Sequence, residues 1–539
     1  MLSNRSSSIA RTIDNARLLA TIHLDGFRSD PRAYLKAVMW WLLRKRVRAR
    51  GQFAPLLSRS PKAYIIWALR HTYDPPEQTP PGQAPPIIAL VTAGANTQAV
   101  TETLVDLAAE GVQAFVISAD HGVDLAKAAS TIDWRQSPWL LAMQAGDRLA
   151  PGAAAAYRQA MRDTDAAVLY ADDDVQDKYG RRTNPHFKPD WNYELYRHCD
   201  YLTGAAIARA VQGDLTDIAD DPHWNESLIS RAVANGGAHH VRQMLHYRAV
   251  RPASPVKPAP LTIAASLPPI SIIIPTRNRL DLVRTCLEGV AATEYPNIEV
   301  IVVDNDSDDP TTLAYLAEQE RAGVQVLRHT GAFNYSAINN RAVAQARGQL
   351  LCLLNNDIEI LSPDWLAIMA TQALRDDVGA VGAQLLYPDG RIQHAGVVIG
   401  VGNAAGHAHR FVQPQAEGYF RRHALPQFTA AVTGACLVVA RERFLAVGGL
   451  DERNFAVAFN DVDLCLRLNQ RGWQSLYEPR AVLIHHESVS RGHDRDAVGA
   501  ARFAGELAAL QRLWKTDCIV DPFHHPHLSR ASEQFSVAL

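Results

Sequence analysis

No CxxC pair, no run of about 20 apolar residues and no excess of either charge occurs in these 539 residues. Each absence removes a class of protein. The six cysteines, Cys199, Cys286, Cys352, Cys436, Cys465 and Cys518, are scattered, several of them inside apolar runs, which argues against a disulfide framework and for reduced thiols in a cytoplasmic protein. The missing apolar run leaves nothing long enough to span a bilayer, and the N-terminus lacks the charged start and apolar region of a secretory signal. The chain is therefore expected to be neither secreted nor membrane-spanning. With 54 basic residues against 56 acidic ones, bulk charge offers no attraction to nucleic acid, so binding to an anionic surface has to be local.

One local segment has that character. Residues 31–53 combine Trp40, Trp41, Leu42 and Leu43 with Arg44, Lys45, Arg46, Arg48 and Arg50. They read as an interfacial helix whose apolar groups enter the headgroup boundary of an anionic membrane surface. The alternative is a helix packing its tryptophans on its own domain.

The length implies two to four domains. A proline-rich linker, 251–269, lacks helical periodicity and divides the chain. Beyond it, buried-looking strands alternate with helices: ISIIIP from 270, IEVIVVD from 298, VQVLRH from 324 and LLCLLNND from 350. That alternation predicts an α/β protein with a mostly parallel sheet, whose ligands bind beyond the carboxyl ends of the strands. Those ends are polar: Thr276, Arg277 and Asn278, then Asp304, Asn305 and Asp306, then Asn355, Asn356 and Asp357. Two carboxylate-bearing ends suit a ligand with ribose or base donors together with a hard divalent cation.

The ordered series SIIIPTRNR, VIVVDNDSDD, FNYSAINNRAVAQARG, LLNNDIEILSPDWL, GACLVVARERFLAVGGLDE, FNDVDLCLRL and HHESVSRG resembles family 2 glycosyltransferases of the GT-A fold, and among them rhamnosyltransferase-like enzymes. The resemblance covers residues 270 to about 492. It implies an inverting transfer from a nucleotide-sugar donor to a hydroxyl of a bacterial surface glycan or its polyprenyl-linked precursor, in O-antigen or other envelope polysaccharide assembly. It also implies a divalent cation, Mg²⁺ or Mn²⁺, at Asp357 and His485, with His486 as fallback. Asp461 takes the place of the catalytic base. Thr276, Arg277, Asn278, Asp304, Asp306, Asn355 and Asn356 fall on donor-binding positions, with Asn339 and Asn340 in second rank. Ordinary alternatives stand beside these roles: a turn or N-cap before the helix expected at Ser362 and Pro363 for Asp357, a structural histidine for His485, and helix-dipole complementation for Asp461.

Glycines 400 and 402 are not a dinucleotide fingerprint, because no helix pattern follows them. They belong to a loop on the acceptor side, and the histidines of 521–529 to a polar tail.

The N-terminal half repeats the same pattern. PIIALVTAGANTQAVTETLVDLAAEGVQAFVISAD, from 86, parallels the opening of the second unit, and WLLAMQAGDRLAP parallels the NND stretch. The alignment sets Gln144, Ala145 and Gly146 at the metal position with Asp147 nearby, and Asn225 opposite Asp461. Asp172 to Asp174 read as a solvated surface turn, with an acidic site as the alternative. The expected organisation is two tandem GT-A-like domains: a basic helical segment (1–80), a degenerate domain (86–250), the linker (251–269), a catalytic domain (270–492), and a C-terminal helix and tail (493–539). Peripheral attachment at the inner face of the cytoplasmic membrane is consistent with this layout. Two competing readings are a noncatalytic scaffold that binds glycan or nucleotide beside an active transferase, and a bifunctional tandem enzyme.

Overall fold

Seven consecutive fully buried residues form the strand Ile270–Thr276, and only a strand flanked on both sides and covered on both faces hides such a run. The computed structural model describes residues 2–71, 84–118, 120–177, 179–486 and 497–539, with side chains from residue 15 onward. The HESVSRG part of the last motif is therefore outside the described residues beyond His486.

Strands β1 (Ile87–Thr92), β2 (Gln113–Ile117), β3 (Trp139–Gln144), β4 (Arg148–Leu149), β5 (Val168–Gln176), β6 (Arg182–His186), β7 (Ala206–Arg209) and β8 (Ala238–Arg248) make a first sheet. The second unit opens with β9 (Ile270–Thr276), β10 (Ile298–Asp304), β11 (Gln325–Arg328), β12 (Leu350–Leu354), β13 (Ile358–Ile360), β14 (Val378–Leu386) and β15 (Ile392–His394). It continues with the ribbon β16 (Val397–Ile399) and β17 (Ala405–His407), then β18 (Gln427–Thr429), β19 (Cys436–Ala440) and β20 (Gln474–His485).

The two sheets share one plan. The first has the order β2-β1-β3-β7-β5-β8-β4 with β6 beside β5, and the second contains β10-β9-β12-β19-β14-β20-β13 with β15 beside β14. Parallel and antiparallel pairings match step for step. Strands β11 and β18 are additions to the second sheet. The parallel arrangement read from the sequence holds for β11-β10-β9-β12, and the antiparallel β7 and β19 make each sheet mixed beyond that point. Aliphatic clusters cover both faces of the second sheet, with Trp365 wholly enclosed on one face and Phe444 and Phe455 on the other.

Four helices, α1 (Leu2–Ser29), α2 (Pro31–Leu42), α3 (Arg46–Ser58) and α4 (Pro61–Arg70), precede the first sheet. Residues 31–53 are thus not one helix. The chain turns at Leu43–Lys45, where Arg44 adopts a left-handed φ of 58°, and folds α3 back on α2. Tyr64 and Trp67 of α4 anchor this group on Phe187.

The proline-rich segment is pinned rather than free. Arg251 pairs with Asp173, Ala264 N–H donates to Thr371 Oγ1 at 3.1 Å, and the Pro268 carbonyl accepts from Tyr295 Oη at 2.6 Å. Further ties join the units: Asn192 exchanges two hydrogen bonds with the Phe428 backbone, and Arg375 pairs with the buried Glu194 at 2.7 Å. The helix after Asp357 starts at Trp365 with Asp364 as its N-cap residue, so Asp357 lies too far upstream to cap it and Ser362 is not the cap either.

Candidate active site

At the carboxyl ends of β9, β10 and β12 the polar clusters meet, although several members are already engaged. Thr276 Oγ1 accepts a hydrogen bond from Asn356 Nδ2 at 3.0 Å, joining the ends of β9 and β12. Asn278 adopts a left-handed φ of 51°, and its Oδ1 accepts the Asp308 and Asp309 amides at 3.0 Å each. Its side chain therefore shapes the turn after β10. Asp304 is buried, with Oδ1 accepting from Ser307 and Oδ2 paired with Arg328, whereas Arg277 and Asp306 are exposed. Between these lies a residue the sequence analysis left out of the site: Asn305 is 1 % exposed, and neither polar atom of its amide has a partner among the described residues. An unsatisfied buried amide costs roughly 1–3 kcal/mol, which a bound ligand would recover.

The metal candidates are adjacent. Asp357 immediately precedes β13, and β13 pairs antiparallel with β20 so that Ile358 lies opposite His485. Asp357 Oδ1 and His485 Nε2 are 3.1 Å apart, both residues being at most 9 % exposed. The tautomer follows from the neighbours: His485 Nδ1 lies 2.8 Å from Gln393 Oε1, which only accepts, so Nδ1 carries the proton. Asn355 Nδ2 donates to Nε2 at 3.3 Å, consistent with a lone pair there. A carboxylate oxygen and an imidazole lone pair thus converge, a donor set that fits a divalent cation, with Gln393 as the partner that orients the ring. Gln393 was not singled out in the sequence, because nothing local marks a residue whose partner is 92 positions away.

Asp461 is the second residue of the helix Asn460–Gln470. Its Oδ2 accepts the Gly434 amide at 2.8 Å and its Oδ1 the Val462 amide at 2.8 Å. Burial raises its pKa above the ordinary carboxylate value against the pull of these amides. The next residue, Ala435, accepts the Asn355 amide at 2.9 Å, so a short backbone bridge joins Asp461 to the metal candidates. Asp463, two positions on, pairs with Arg467 at 2.7 Å and accepts from Trp514 Nε1 at 2.9 Å, a structural role. Asn339 Nδ2 donates within its own helix while its buried Oδ1 has no partner among the described residues, and Asn340 clamps Leu450 and Glu452. Gly400 and Gly402 belong to the turn of the β16–β17 ribbon, a single 3-10 turn over Val401–Asn403 that leads into β17 and not into an α-helix.

The first unit has different chemistry at the equivalent places. Asp147 precedes β4 as Asp357 precedes β13, but Tyr247 stands where the second unit has His485. Asn225 is the second residue of the helix Trp224–Gly236, the place of Asp461. Asp147 accepts the Gln144 and Ala249 amides, and the nearby Arg248 guanidinium supplies the positive charge.

Asp172, Asp173 and Asp174 are not a surface turn. They lie in β5 and are at most 1 % exposed. Protein cations and donors hold all three: His240 and His525 at 3.0 Å from Asp172, Lys188 at 2.8 Å from Asp173 with Arg251 beside it, and Arg182 at 2.6 Å and Tyr64 at 2.5 Å from Asp174.

Asp172, His240 and His525 have metal-ligand spacing, and one proton position, that of His525, opposes that use. His527 N–H donates to His525 Nδ1 at 3.1 Å, which leaves the proton on Nε2, facing Asp172. His240 faces carboxylates on both nitrogens, Asp172 at 3.0 Å and Asp190 at 3.2 Å. The 3.0 Å pair of His525 with Asp172 fastens the C-terminal tail to the first sheet, and His524 and His525 are buried, so the histidines of 521–529 are not a solvated tail.

Burial opposes charge on His240, but Asp172 and Asp190 outweigh it and raise its pKa. The stabilisation it contributes is therefore fully present below the ordinary imidazole value of about 6.5 and lost as pH rises through the folded value. The melting-temperature difference between the protein and His240→Gln is expected to be largest near pH 6 and to shrink toward alkaline pH. A pH-independent difference would show that His240 is neutral.

Comparison with known proteins gives the family. The model of "Glycosyl transferase family 2" matches residues 271–435. An uncharacterised protein of Sinorhizobium fredii is 40 % identical over 419 residues, covering 69 % of this chain and 46 % of that protein. The O-antigen biosynthesis protein RfbC of Myxococcus xanthus is 35 % identical over 428 residues, 71 % of this chain and 33 % of that protein. The N-acetylglucosaminyl-diphospho-decaprenol L-rhamnosyltransferase of Mycobacterium tuberculosis is 30 % identical over 222 residues, 38 % of this chain and 71 % of that enzyme. The chain belongs to glycosyl transferase family 2. It spans less than half the length of the first two relatives. Its fold class is the one expected from the resemblance, tandem α/β units of GT-A-like plan.

Proposed function

We propose that the second unit transfers a sugar, in the first instance rhamnose, from a nucleoside-diphospho-sugar to a hydroxyl of a bacterial surface glycan or its polyprenyl-linked precursor, with inversion. The observation that carries this reading is the backbone bridge from Asp461 through Gly434 and Ala435 to Asn355, beside Asp357 and His485. Asp461 removes the proton of the acceptor hydroxyl. The freed oxygen attacks the anomeric carbon as the bond to the diphosphate breaks, and the nucleoside diphosphate leaves. One displacement inverts the centre and needs no protein nucleophile. A Mg²⁺ or Mn²⁺ held by Asp357 and His485 would offset the negative charge of the leaving group. The buried Asn305 and the polar ends of β9 and β10 suit the nucleoside. The relatives that make O-antigen and rhamnosylate a decaprenyl-linked sugar support the acceptor class.

The first unit is proposed to be a degenerate copy with a structural role. It keeps the sheet plan but has Asn225 and Tyr247 in place of base and histidine, and its strand carboxylates are consumed by internal pairs. This arrangement disfavours bifunctionality.

The test is turnover of UDP-, GDP- and dTDP-sugars by the purified protein with Mn²⁺ or with EDTA, beside Asp357→Ala. One donor is expected to be used in a Mn²⁺-dependent manner, with the variant losing both turnover and the tightening of nucleotide binding by Mn²⁺. Donor binding without turnover, even with glycolipid acceptors, would favour the scaffold reading.

A further inference from the structure

The N-terminal helices carry a charge anomaly that the transfer reaction does not use. Between Asp30 and Asp74 the chain has no acidic residue and ten Lys or Arg, in a protein whose overall net charge is −2. The fold concentrates this asymmetry at one point. The inner side of the α2–α3 hairpin is used for packing: Ala37 and Ala49 are buried, and Tyr34 and Phe53 stack edge to face with each other and with His23 of α1. The tip is not. Residues 41–48 are exposed without interruption, including Trp41 at 51 %, Leu42 at 67 %, Leu43 at 57 % and Val47 at 69 %. Lys45 and Arg48 lie over the Trp40 ring at 4.8 and 5.3 Å, and Arg46 over Trp41 at 5.5 Å. The bend at Arg44 brings Lys45, Arg46 and Arg48 to the same exposed tip as Trp41, Leu42, Leu43 and Val47.

We propose that this hairpin tip docks the protein on an anionic lipid bilayer surface, with Trp41, Leu42, Leu43 and Val47 entering the headgroup boundary and Arg44 to Arg50 meeting lipid phosphates. Apolar projection and surrounding cations are the two elements of interfacial binding, and each basic residue near such a surface adds to it. A second copy of this chain is a poor occupant, since it would set the same cations against each other. A nucleic acid would leave Leu42, Leu43 and Val47 without a base-reading or stacking role. No helix among the described residues is long and apolar enough to cross a membrane, so the contact is with the surface. The inference rests on no step of the proposed transfer.

Co-sedimentation of the full chain with phosphatidylcholine vesicles, alone or mixed with phosphatidylglycerol, tests it. Binding is expected only to the mixed vesicles and should weaken as salt rises. Arg46→Gln/Arg48→Gln/Arg50→Gln is expected to lose on the order of 100-fold in affinity, as three surface cations predict. Leu42→Ser/Leu43→Ser should also lose binding, with circular dichroism and donor turnover in solution unchanged for both variants. Equal partition onto neutral and anionic vesicles, variants that bind like the parent, or binding to a polynucleotide but not to vesicles would each overturn the proposal.

Discussion

Asp461→Asn is expected to lower kcat for sugar transfer by about 10²- to 10⁴-fold, the usual contribution of a positioned general base, while the donor KM changes little. Each carboxylate oxygen of Asp461 accepts a backbone amide, so the substituted asparagine side chain keeps one of these bonds and sets its NH2 against the other N–H. An unchanged circular dichroism spectrum and donor KM separate loss of the base from this local cost. Because burial raises the Asp461 pKa, the parent's rate should climb with pH through that raised value, and the variant's residual rate should lack this acidic limb. An unchanged kcat would reduce Asp461 to a charge that complements the helix dipole.

Removing the Asp173 carboxylate is expected to have the largest effect on stability. Asp173 and Lys188 are each 1 % exposed and 2.8 Å apart, with Arg251 on the same carboxylate. Burial works against the charge on Asp173, but Lys188 and Arg251 outweigh it and hold its pKa far below the usual range. Asp173→Ala leaves two cations without their counter-charge, and breaking such a buried pair costs about 3–5 kcal/mol. For a unit of this size that corresponds to a fall in melting temperature of roughly 6–20 °C. The double variant Asp173→Leu/Lys188→Met should recover part of the loss, because the interior then holds no unpaired ion at Lys188 while Arg251 still lacks its partner. It should also keep transferase activity. Recovery of stability with loss of one glycosidic linkage would instead assign chemistry to the first unit.

The strands were legible because they are continuous apolar runs. ISIIIPT admits no exposed face, and the polar residues that follow each run mark where a parallel sheet presents ligands. Asp357 stands at such a strand end and Asp461 at a helix start, but the roles expected of them came from the family resemblance. The buried state of Asp172 to Asp174 was not legible. Three consecutive aspartates look solvated until it is known that Lys188, His240, Arg251 and His525 come to meet them, and His525 is 353 positions from Asp172.

The sequence by itself determined the order of strands and helices and the residues at the strand ends, since these follow from local composition and spacing, and its motif series carried the resemblance to the family. Only the tertiary structure decided which polar residues remain available for a ligand. Asn278 was taken by a turn, Asn340 by hydrogen bonds to Leu450 and Glu452 and Asp304 by an ion pair, Asn305 was left unsatisfied, and Gln393 was brought to orient His485. The physical reason is that a buried polar group is stable only with a partner, and the partner is chosen by sheet register and loop closure between segments far apart in the chain.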